Sequence, residues 1–142
     1  MQVGSATAGG QDPQKPVNVK PKLALDAAFK KSKSGLEFYV EKYGSGDKIE
    51  KGKKVTVHYE GWLAEDYTLF DSSRKKRRPF EFVLGQGQVI AGWEEALEGV
   101  RVGSVLQLKI PSNLGYGVSG HSGAKIPPNS DLIFKVQVMR AK

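Results

Sequence analysis

The sequence contains few side chains of the types that form or break covalent bonds. No cysteine is present to act as a nucleophile or a thiolate ligand, and only two histidines, His58 and His121, could act as imidazole bases. His58 lies in a segment with strand-like alternation, which favours a hydrogen-bonded structural role, and His121 lies in the glycine-rich loop "SGHSG", which it shapes or lines. Motifs of the GxSxG, HExxH, Walker and GxGxxG types are absent. We therefore expect neither hydrolysis nor group transfer, and neither a metal ion nor a cofactor.

Three other residues are candidates for a binding site. Asp71 stands in "LFDSSR", Tyr116 in the glycine loop "LGYG", and Trp93 at the start of the short segment "GWEEALEG". A carboxylate and a phenol can form hydrogen bonds with a bound molecule, whereas a buried tryptophan is more commonly a core residue. A single two-turn helix is too short to cover the whole concave face of a sheet, so an indole in its first turn could close the middle of that face and leave a cavity above it. These patterns leave both interpretations of Trp93 open.

The elements that would position these residues follow from hydrophobic periodicity. Trp93, Ala96 and Leu97 share one helical face, and Gly99 is a suitable C′ residue at which the helix ends. Glycine-rich turns separate five further segments whose apolar residues alternate as in β-strands: "GLEFYVEKYG", "KKVTVHYEGWL", "PFEFVLG", "SVLQLKI" and "DLIFKVQVM". The pattern predicts an α+β domain in which one short helix covers a face of an antiparallel sheet.

The first part of the chain differs in composition from the rest. Residues 1–22 are rich in Gly, Pro, Lys and Gln and have almost no bulky apolar side chains, which predicts disorder. Residues 23–31 either form a short helix or lie over the domain. We therefore divide the chain into a basic, disordered N-terminal tail, residues 1–34, and one folded domain, residues 35–142, long enough to bury a core.

The net charge of +7 is unevenly distributed. Residues 1–35 hold six lysines against two aspartates, and the run "RKKRR", residues 74–78, adds five positive charges, so the remaining residues carry a net charge of −2. A nucleic-acid-binding domain would spread its cations over the folded surface. The run is either a nuclear-localisation or nucleic-acid-binding signal or a solvated loop. We favour the loop, and nucleic acid is the less favoured partner.

Membrane association is not indicated by the sequence. No apolar run approaches the roughly 18 residues of a membrane span, and the first residues lack the apolar region of a signal peptide. We expect a cytoplasmic monomer with no membrane partner, although the absence of cysteine does not fix the compartment and leaves a nuclear or exported location open.

Three long stretches carry a resemblance to a known family: "VTVHYEGWL", "LFDSSRKKRRPFEFVLGQGQVIAGWEEAL" and "IPSNLGYGVSGHSGAKIPPNSDLIFKVQV". In their order and spacing they resemble the FKBP-type peptidyl-prolyl cis-trans isomerases over residues 35–142. The resemblance implies a curved five- or six-stranded antiparallel sheet wrapped around one short helix. It also implies an isomerase that assists protein folding, acts on proline-containing polypeptides, and binds the macrolide inhibitors rapamycin and tacrolimus.

The resemblance also implies a set of site residues. Trp93 matches the pocket floor on which a proline ring rests, Tyr116 matches a hydroxyl that reaches a ligand carbonyl, and Asp71 matches a wall carboxylate. The catalytic set is Asp71, Tyr116, Tyr59, Phe70, Trp93 and Phe134. The substrate- and inhibitor-binding set is Phe80, Phe82, Gln88, Val89, Ile90, Gly115, His121 and Ile126.

The sequence departs from the family pattern at four places. The segment between Tyr59 and Phe70 is one residue longer than the commonest family version. "GHSGAKIPP" also has one extra residue, and its tip, Ala124 and Lys125, is less apolar than usual, so the preference for large apolar residues before proline is open. Gln88 stands where many members have Glu. The usual arginine partner of the pocket aspartate aligns with Lys76; Arg74 and Arg77 stand nearby.

Two other functions stay in view beside the isomerase. One is a non-catalytic module that holds proline-containing segments or a regulatory partner in the same pocket. The other is a nuclear or nucleic-acid-associated scaffold that acts through its basic tail and loop. The complete aromatic set favours catalysis over the first, and the nearly neutral remainder of the chain disfavours the second.

Overall fold

The computed structural model describes residues 20–142 and, before them, two strands of two residues each. These strands, β1 (Thr7–Ala8) and β2 (Gly10–Gln11), pair in parallel. The other residues before Lys20 lie outside the described residues, and so does most of the segment 1–22 for which we predicted disorder.

The described domain is one antiparallel sheet with a short helix. The strands are β3 (Lys30–Lys31), β4 (Glu37–Lys42), β5 (Lys54–Leu63), β6 (Leu69–Ser72), β7 (Phe80–Val83), β8 (Val105–Ile110) and β9 (Leu132–Ala141), and the helix is α1 (Ala91–Leu97). The strand order is β3-β4-β8-β9-β5-β6, and β7 also pairs with β5. Short 3₁₀ helices occur at Asp26–Ala28, Ser112–Leu114, Gly117–Ser119 and Ser122–Ala124. Within the described part, no helix is long and apolar enough to cross a membrane.

The predicted fold class is confirmed: a multi-stranded antiparallel sheet packs around a single short helix. In this sheet the structure adds two strands, β3 and β6, to the five predicted ones. β6 and β7 occupy successive positions along the same side of β5, since β6 pairs with residues 60–62 and β7 with residues 54–57. Seven strands therefore fill six positions across the sheet.

Alternation along the central strand β5 separates the two faces of the sheet. Val55, Val57, Tyr59 and Leu63 are buried, while the residues between them are partly exposed, apart from Gly61, which is also buried. β-branched residues at these positions suit a pleated, half-buried strand. The pattern turns Tyr59 toward the helix side of the sheet, where it can contribute to a site.

The helix α1 lies close to the sheet because it presents a glycine there. A Cβ atom on Gly92 would lie 2.7 Å from Cγ2 of Ile110, so a larger residue would push the helix away. Trp93 and Leu97 are buried on the same side, and complete burial of a leucine stabilises the fold by about 1.5–3 kcal/mol. Gly99 follows the C-cap with φ +86°, as predicted for its C′ position.

Residues 23–31 lie over the domain and also contain a short 3₁₀ turn, so both arrangements left open by the sequence occur. The N–H of Ala24 donates to Oε1 of Gln107 at 2.8 Å, so the buried side-chain carbonyl of Gln107 has a hydrogen-bond donor. Phe29 is 9% exposed and packs against Tyr39, with ring centroids 5.9 Å apart. The structure thus brings part of the predicted tail, from residue 20 onward, into contact with the sheet.

Candidate active site

An aromatic cavity of about 100 Å³ opens between the sheet, α1 and the connection from β8 to β9. The strands β5, β6, β7 and β9 supply most of its walls, and α1 supplies its base. Ten residues line it: Tyr59, Phe70, Asp71, Phe80, Gln88, Val89, Ile90, Trp93, Tyr116 and Phe134. All ten belong to the set that the family resemblance implied.

Trp93 forms the floor of this cavity and is also part of the core. It lies in the first turn of α1, which begins after the extended residue Ile90, and it is 4% exposed. Its ring packs edge-on against Tyr59 and Phe134, with centroid distances of 5.1 and 5.3 Å, and against Phe80 at 6.2 Å. Edge-to-face packing of this kind fixes ring orientation. Trp93 is therefore both a core residue and a lining residue of the cavity, and its contact with a bound ring stays a prediction.

A glycine that the sequence analysis did not single out shapes one wall. Phe70 and Phe134 pack at 89° with ring centroids 5.6 Å apart. A Cβ atom on Gly61 would lie 2.7 Å from both rings, so only a glycine leaves room for this pair. The signal in the sequence is a lone glycine inside an alternating strand, which often marks a close approach of another group.

Asp71 is held at the wall by three hydrogen-bond donors. The hydroxyl of Tyr59 donates to Oδ2, the Nζ of Lys76 lies 2.9 Å from Oδ1, and the N–H of Ser72 donates to Oδ1 at 2.9 Å. Burial alone would raise the pKa of Asp71, but these hydrogen bonds and the charge of Lys76 outweigh it and hold the pKa below 3.8. The carboxylate is therefore ionised at neutral pH. Lys76 is its cationic partner, whereas Arg74 donates to Gln137 instead.

The two tyrosines of the site stay protonated at neutral pH. Burial, then the hydrogen bond to Asp71 and its charge, raise the pKa of Tyr59. Burial, followed by the charge of Asp71, raises the pKa of Tyr116. Because the hydroxyl of Tyr59 is already engaged, Tyr116 is the phenol that can donate to a bound carbonyl.

His121 supports the loop beside Tyr116. The two rings pack edge-on, with centroids 5.1 Å apart. Nδ1 of His121 accepts a hydrogen bond from the N–H of Ala124 at 3.2 Å, and its backbone bridges to Ile126. His58 lies elsewhere: its Nδ1 is 2.8 Å from Oγ of Ser73, which matches the structural role predicted for it.

Four residues of the predicted binding set do not line the cavity: Phe82, Gly115, His121 and Ile126. Phe82 stacks on Phe80 at 5.7 Å and supports the wall from behind. Gly115 lies against Leu132, so that a Cβ atom there would be 3.1 Å from its Cδ1. Ile126 is buried and anchors the loop. Contact of these four residues with a ligand stays a prediction.

Gln88 lies at the exposed rim of the cavity. Its Oε1 accepts a hydrogen bond from the N–H of Val83 at 2.8 Å, so the side chain closes the turn that leads into α1. In the part of the chain that the structure describes, no three histidine, aspartate or glutamate side chains are grouped so that they could hold a metal ion.

A larger groove, about 460 Å³, lies between residues 20–26 and the ends of β8 and β9. Its walls are of mixed polarity, and two of its charged residues, Asp26 and Lys109, pair with each other. It lacks the aromatic enclosure and the anchored carboxylate of the smaller cavity. Size alone therefore does not make it the better candidate.

The structure thus combines an antiparallel sheet, one short helix and an aromatic cavity with an anchored carboxylate and a protonated phenol at its wall. A family model described as FKBP-type peptidyl-prolyl cis-trans isomerase matches residues 45–139. The FK506-binding protein of Neisseria meningitidis serogroup C is 50% identical over 95 residues, which are 67% of this chain and 85% of that protein. FK506-binding protein 1 of Dictyostelium discoideum is 44% identical over 108 residues, covering 76% of this chain and 99% of that protein.

The solved structures agree with the sequence comparisons. The crystal structure of FkpA from Escherichia coli superposes with a TM-score of 0.75 at 37% identity and covers 82% of this chain and 53% of that chain. The chain therefore belongs to the family of FKBP-type peptidyl-prolyl cis-trans isomerases and is an isomerase of this type.

Proposed function

We propose that the aromatic cavity binds the proline of an X–Pro segment, with its ring on Trp93, and accelerates rotation about the preceding peptide bond. The observation that carries this proposal is the enclosure of one small cavity by aromatic rings that pack edge-on around Trp93. A cavity of about 100 Å³ suits a single ring. Slow X–Pro isomerisation limits the folding of many chains, so such an activity would assist folding.

Rotation about the bond needs no nucleophile. The barrier of about 18–20 kcal/mol comes from C–N resonance, and the planar form is charge-separated. An apolar floor and walls solvate that planar form poorly and solvate the twisted amide better. Catalysis then depends on interactions that are stronger in the twisted transition state than in either planar isomer.

The polar groups would hold the twisted amide rather than exchange protons with it. Tyr116 has a protonated hydroxyl that can donate to a carbonyl of the substrate. Asp71 is fixed by Tyr59 and Lys76 and keeps its charge at the wall. Its depressed pKa makes it a poor general base at neutral pH.

We further propose that the same cavity binds tacrolimus (FK506) and rapamycin. Two of the similar proteins carry the name FK506-binding protein. A macrolide is far larger than the cavity, so only one ring of it would enter, and the remainder would lie on the rim near Gln88 and Tyr116. Because both would occupy the same cavity, a macrolide and a proline peptide should compete for binding.

The deciding experiment measures cis-trans exchange of a short neutral X–Pro peptide by NMR exchange spectroscopy, with and without tacrolimus. We expect acceleration by catalytic amounts of protein and its loss at stoichiometric tacrolimus. Peptide binding without acceleration would replace the isomerase mechanism by the non-catalytic binding module. Acceleration that tacrolimus leaves unchanged would place catalysis outside this cavity.

A further inference from the structure

We propose that residues 74–78, here called the basic loop, select X–Pro segments that carry carboxylate side chains next to the proline. The inference deepens the proposed function and rests on it, because it requires a polypeptide held in the cavity. It names a substrate class: acidic polypeptide segments in preference to neutral ones.

The basic loop lies at the rim of the cavity because of its connections. It joins β6 to β7, and each of these strands supplies a lining residue: Asp71 from β6 and Phe80 from the start of β7. The cavity, at about 100 Å³, is small beside the roughly 300–1,000 Å³ that enclose drug-sized ligands. A proline ring that fills it leaves the neighbouring residues of the polypeptide on the rim.

Most cations of the basic loop have no acidic partner. All five side chains are exposed. Lys76 pairs with Asp71, so these two charges balance, and Arg74 donates to the neutral amide of Gln137. Within residues 20–142, the three remaining cations form no ion pair with a carboxylate: Lys75, Arg77 and Arg78. The basic loop therefore carries an excess of positive charge.

The backbone of the basic loop is hydrogen-bonded rather than extended. The N–H of Arg77 donates to the carbonyl of Arg74 at 3.0 Å, and that of Arg78 donates to the carbonyl of Ser73 at 3.1 Å. Arg77 adopts φ +55°, the left-handed conformation that closes such a turn. Cations on a preformed turn lose less conformational freedom on binding than cations on a flexible loop.

The distance over which exposed charges act is sufficient for the basic loop to attract substrate residues next to the bound proline. Extended residues advance about 3.3–3.6 Å each, so the first two neighbours of a bound proline lie within about 7 Å of the cavity. Exposed charges act over about 8 Å at physiological ionic strength. The effect should fall on substrate capture, hence on KM, because rim charges change association more than bond rotation.

A polypeptide fits this surface better than a nucleic acid does. Apart from residues 1–35 and the basic loop, the chain carries a net charge of −2, so the folded surface offers no broad cationic track for phosphates. The loop that carries these three cations connects two strands that line a cavity suited to a proline ring, and a nucleic acid contains no proline ring.

The test compares two peptides that differ only in the residues flanking the X–Pro pair, Glu in one and Gln in the other. Exchange spectroscopy gives kcat/KM for each with wild type and with K75Q/R77N/R78Q, which keeps Lys76 and places asparagine at the left-handed position. A matched control, K22Q/K33Q/K42Q, removes the same charge from exposed side chains near the opposite edge of the sheet. We expect wild type and control to favour the acidic peptide about threefold to tenfold. The loop variant should show a ratio near one, and so should wild type in high salt.

The outcomes separate the two proposals. Equal kcat/KM for both peptides in wild type, with normal acceleration, would overturn this inference alone. Acceleration of neither peptide would overturn the proposed function and this inference with it. If the ratio is one and a short DNA or RNA duplex binds through the basic loop, the loop is a nucleic-acid surface and the acidic-polypeptide assignment is wrong.

Discussion

The hydroxyl of Tyr59 donates a hydrogen bond to the carboxylate of Asp71, and the ring of the same tyrosine packs against Trp93 at a centroid distance of 5.1 Å. One side chain thus joins the polar wall of the cavity to its floor. We therefore expect substitutions of Tyr59 to affect both the position of the Asp71 carboxylate and the packing of Trp93.

We expect Tyr59→Phe to keep the ring packing and to destabilise the fold by about 1 kcal/mol at neutral pH, because a hydrogen bond to a charged, partly exposed group is lost. The pKa of Asp71 is depressed in the folded state, so its contribution is complete above 3.8 and disappears as the pH falls below that value. The stability difference between wild type and Tyr59→Phe, measured by urea unfolding, should therefore shrink below pH 4. A difference that grows on acidification would contradict this assignment.

Lys76 and Arg74 should differ in their effect on Asp71. Lys76→Gln removes the cation that lies 2.9 Å from Oδ1 and should raise the pKa of Asp71 toward its ordinary value. Arg74→Gln removes an equal charge, but the Arg74 side chain donates to Gln137 rather than to Asp71. This substitution should therefore raise the pKa of Asp71 much less. Carboxyl-detected NMR titration of both variants measures the two shifts. Equal shifts would mean that the whole loop, not Lys76, anchors the carboxylate.

Asp71→Asn and Tyr116→Phe should each lower kcat/KM only modestly. Asp71→Asn removes the negative charge, Tyr116→Phe removes the hydroxyl, and both nearly keep the shape. We expect a loss of about tenfold from each, which corresponds to about 1.4 kcal/mol in the barrier. Catalysis that is spread over many apolar contacts predicts this small effect. A loss of several orders of magnitude from either change would indicate acid–base chemistry and exclude the mechanism proposed above.

Trp93→Leu should weaken tacrolimus binding at least tenfold, as measured by calorimetry, and should destabilise the fold by about 2 kcal/mol because four ring contacts are lost. Trp62 offers a matched control, since it alternates to the opposite face of β5. We also expect tacrolimus binding to change the fluorescence of Trp93, and Trp62→Phe should keep both the affinity and this fluorescence change. Unchanged affinity in Trp93→Leu would show that this indole is not the floor of the binding site.

Gly61→Ala should disturb the wall that Phe70 and Phe134 form. The added Cβ atom would lie 2.7 Å from both rings, and relief of such overpacking costs about 1–3 kcal/mol. The rings would move toward the cavity, so peptide affinity should fall together with stability. Glu60→Ala, one residue earlier on the other face of β5, is the control and should alter neither quantity appreciably. Normal activity in Gly61→Ala would mean that the rings move away from the cavity.

Periodicity was sufficient for the longer elements and insufficient for the shorter ones. The ten residues of β5 alternate clearly, so the strand and the inward direction of Tyr59 were predictable. The four residues of β6 are too few for a periodic signal, and its pairing depends on a turn after Leu63 that brings it back beside β5. β3 has only two residues and forms because β4 offers an edge.

The candidate site was predictable in composition and less so in detail. The family resemblance supplied every lining residue, but the partner of Asp71 could not be chosen from sequence because three cations stand within the same turn. Only the fold of residues 73–78 directs Lys76 inward and Arg74 toward Gln137. Gly61 was missed because its role lies in the space that it leaves empty, and composition does not reveal that space.

Lys30 pairs with Phe38 and Lys31 with Glu37, and this pairing determines which groups another molecule contacts at this edge of the sheet. An uncovered edge strand offers free N–H and C=O groups, and a second copy could add its own strand there. β3 covers the first residues of β4, and both of its lysines are exposed. Two copies approaching at this edge would bring like charges together, so the short outer strand protects the domain against edge-to-edge aggregation.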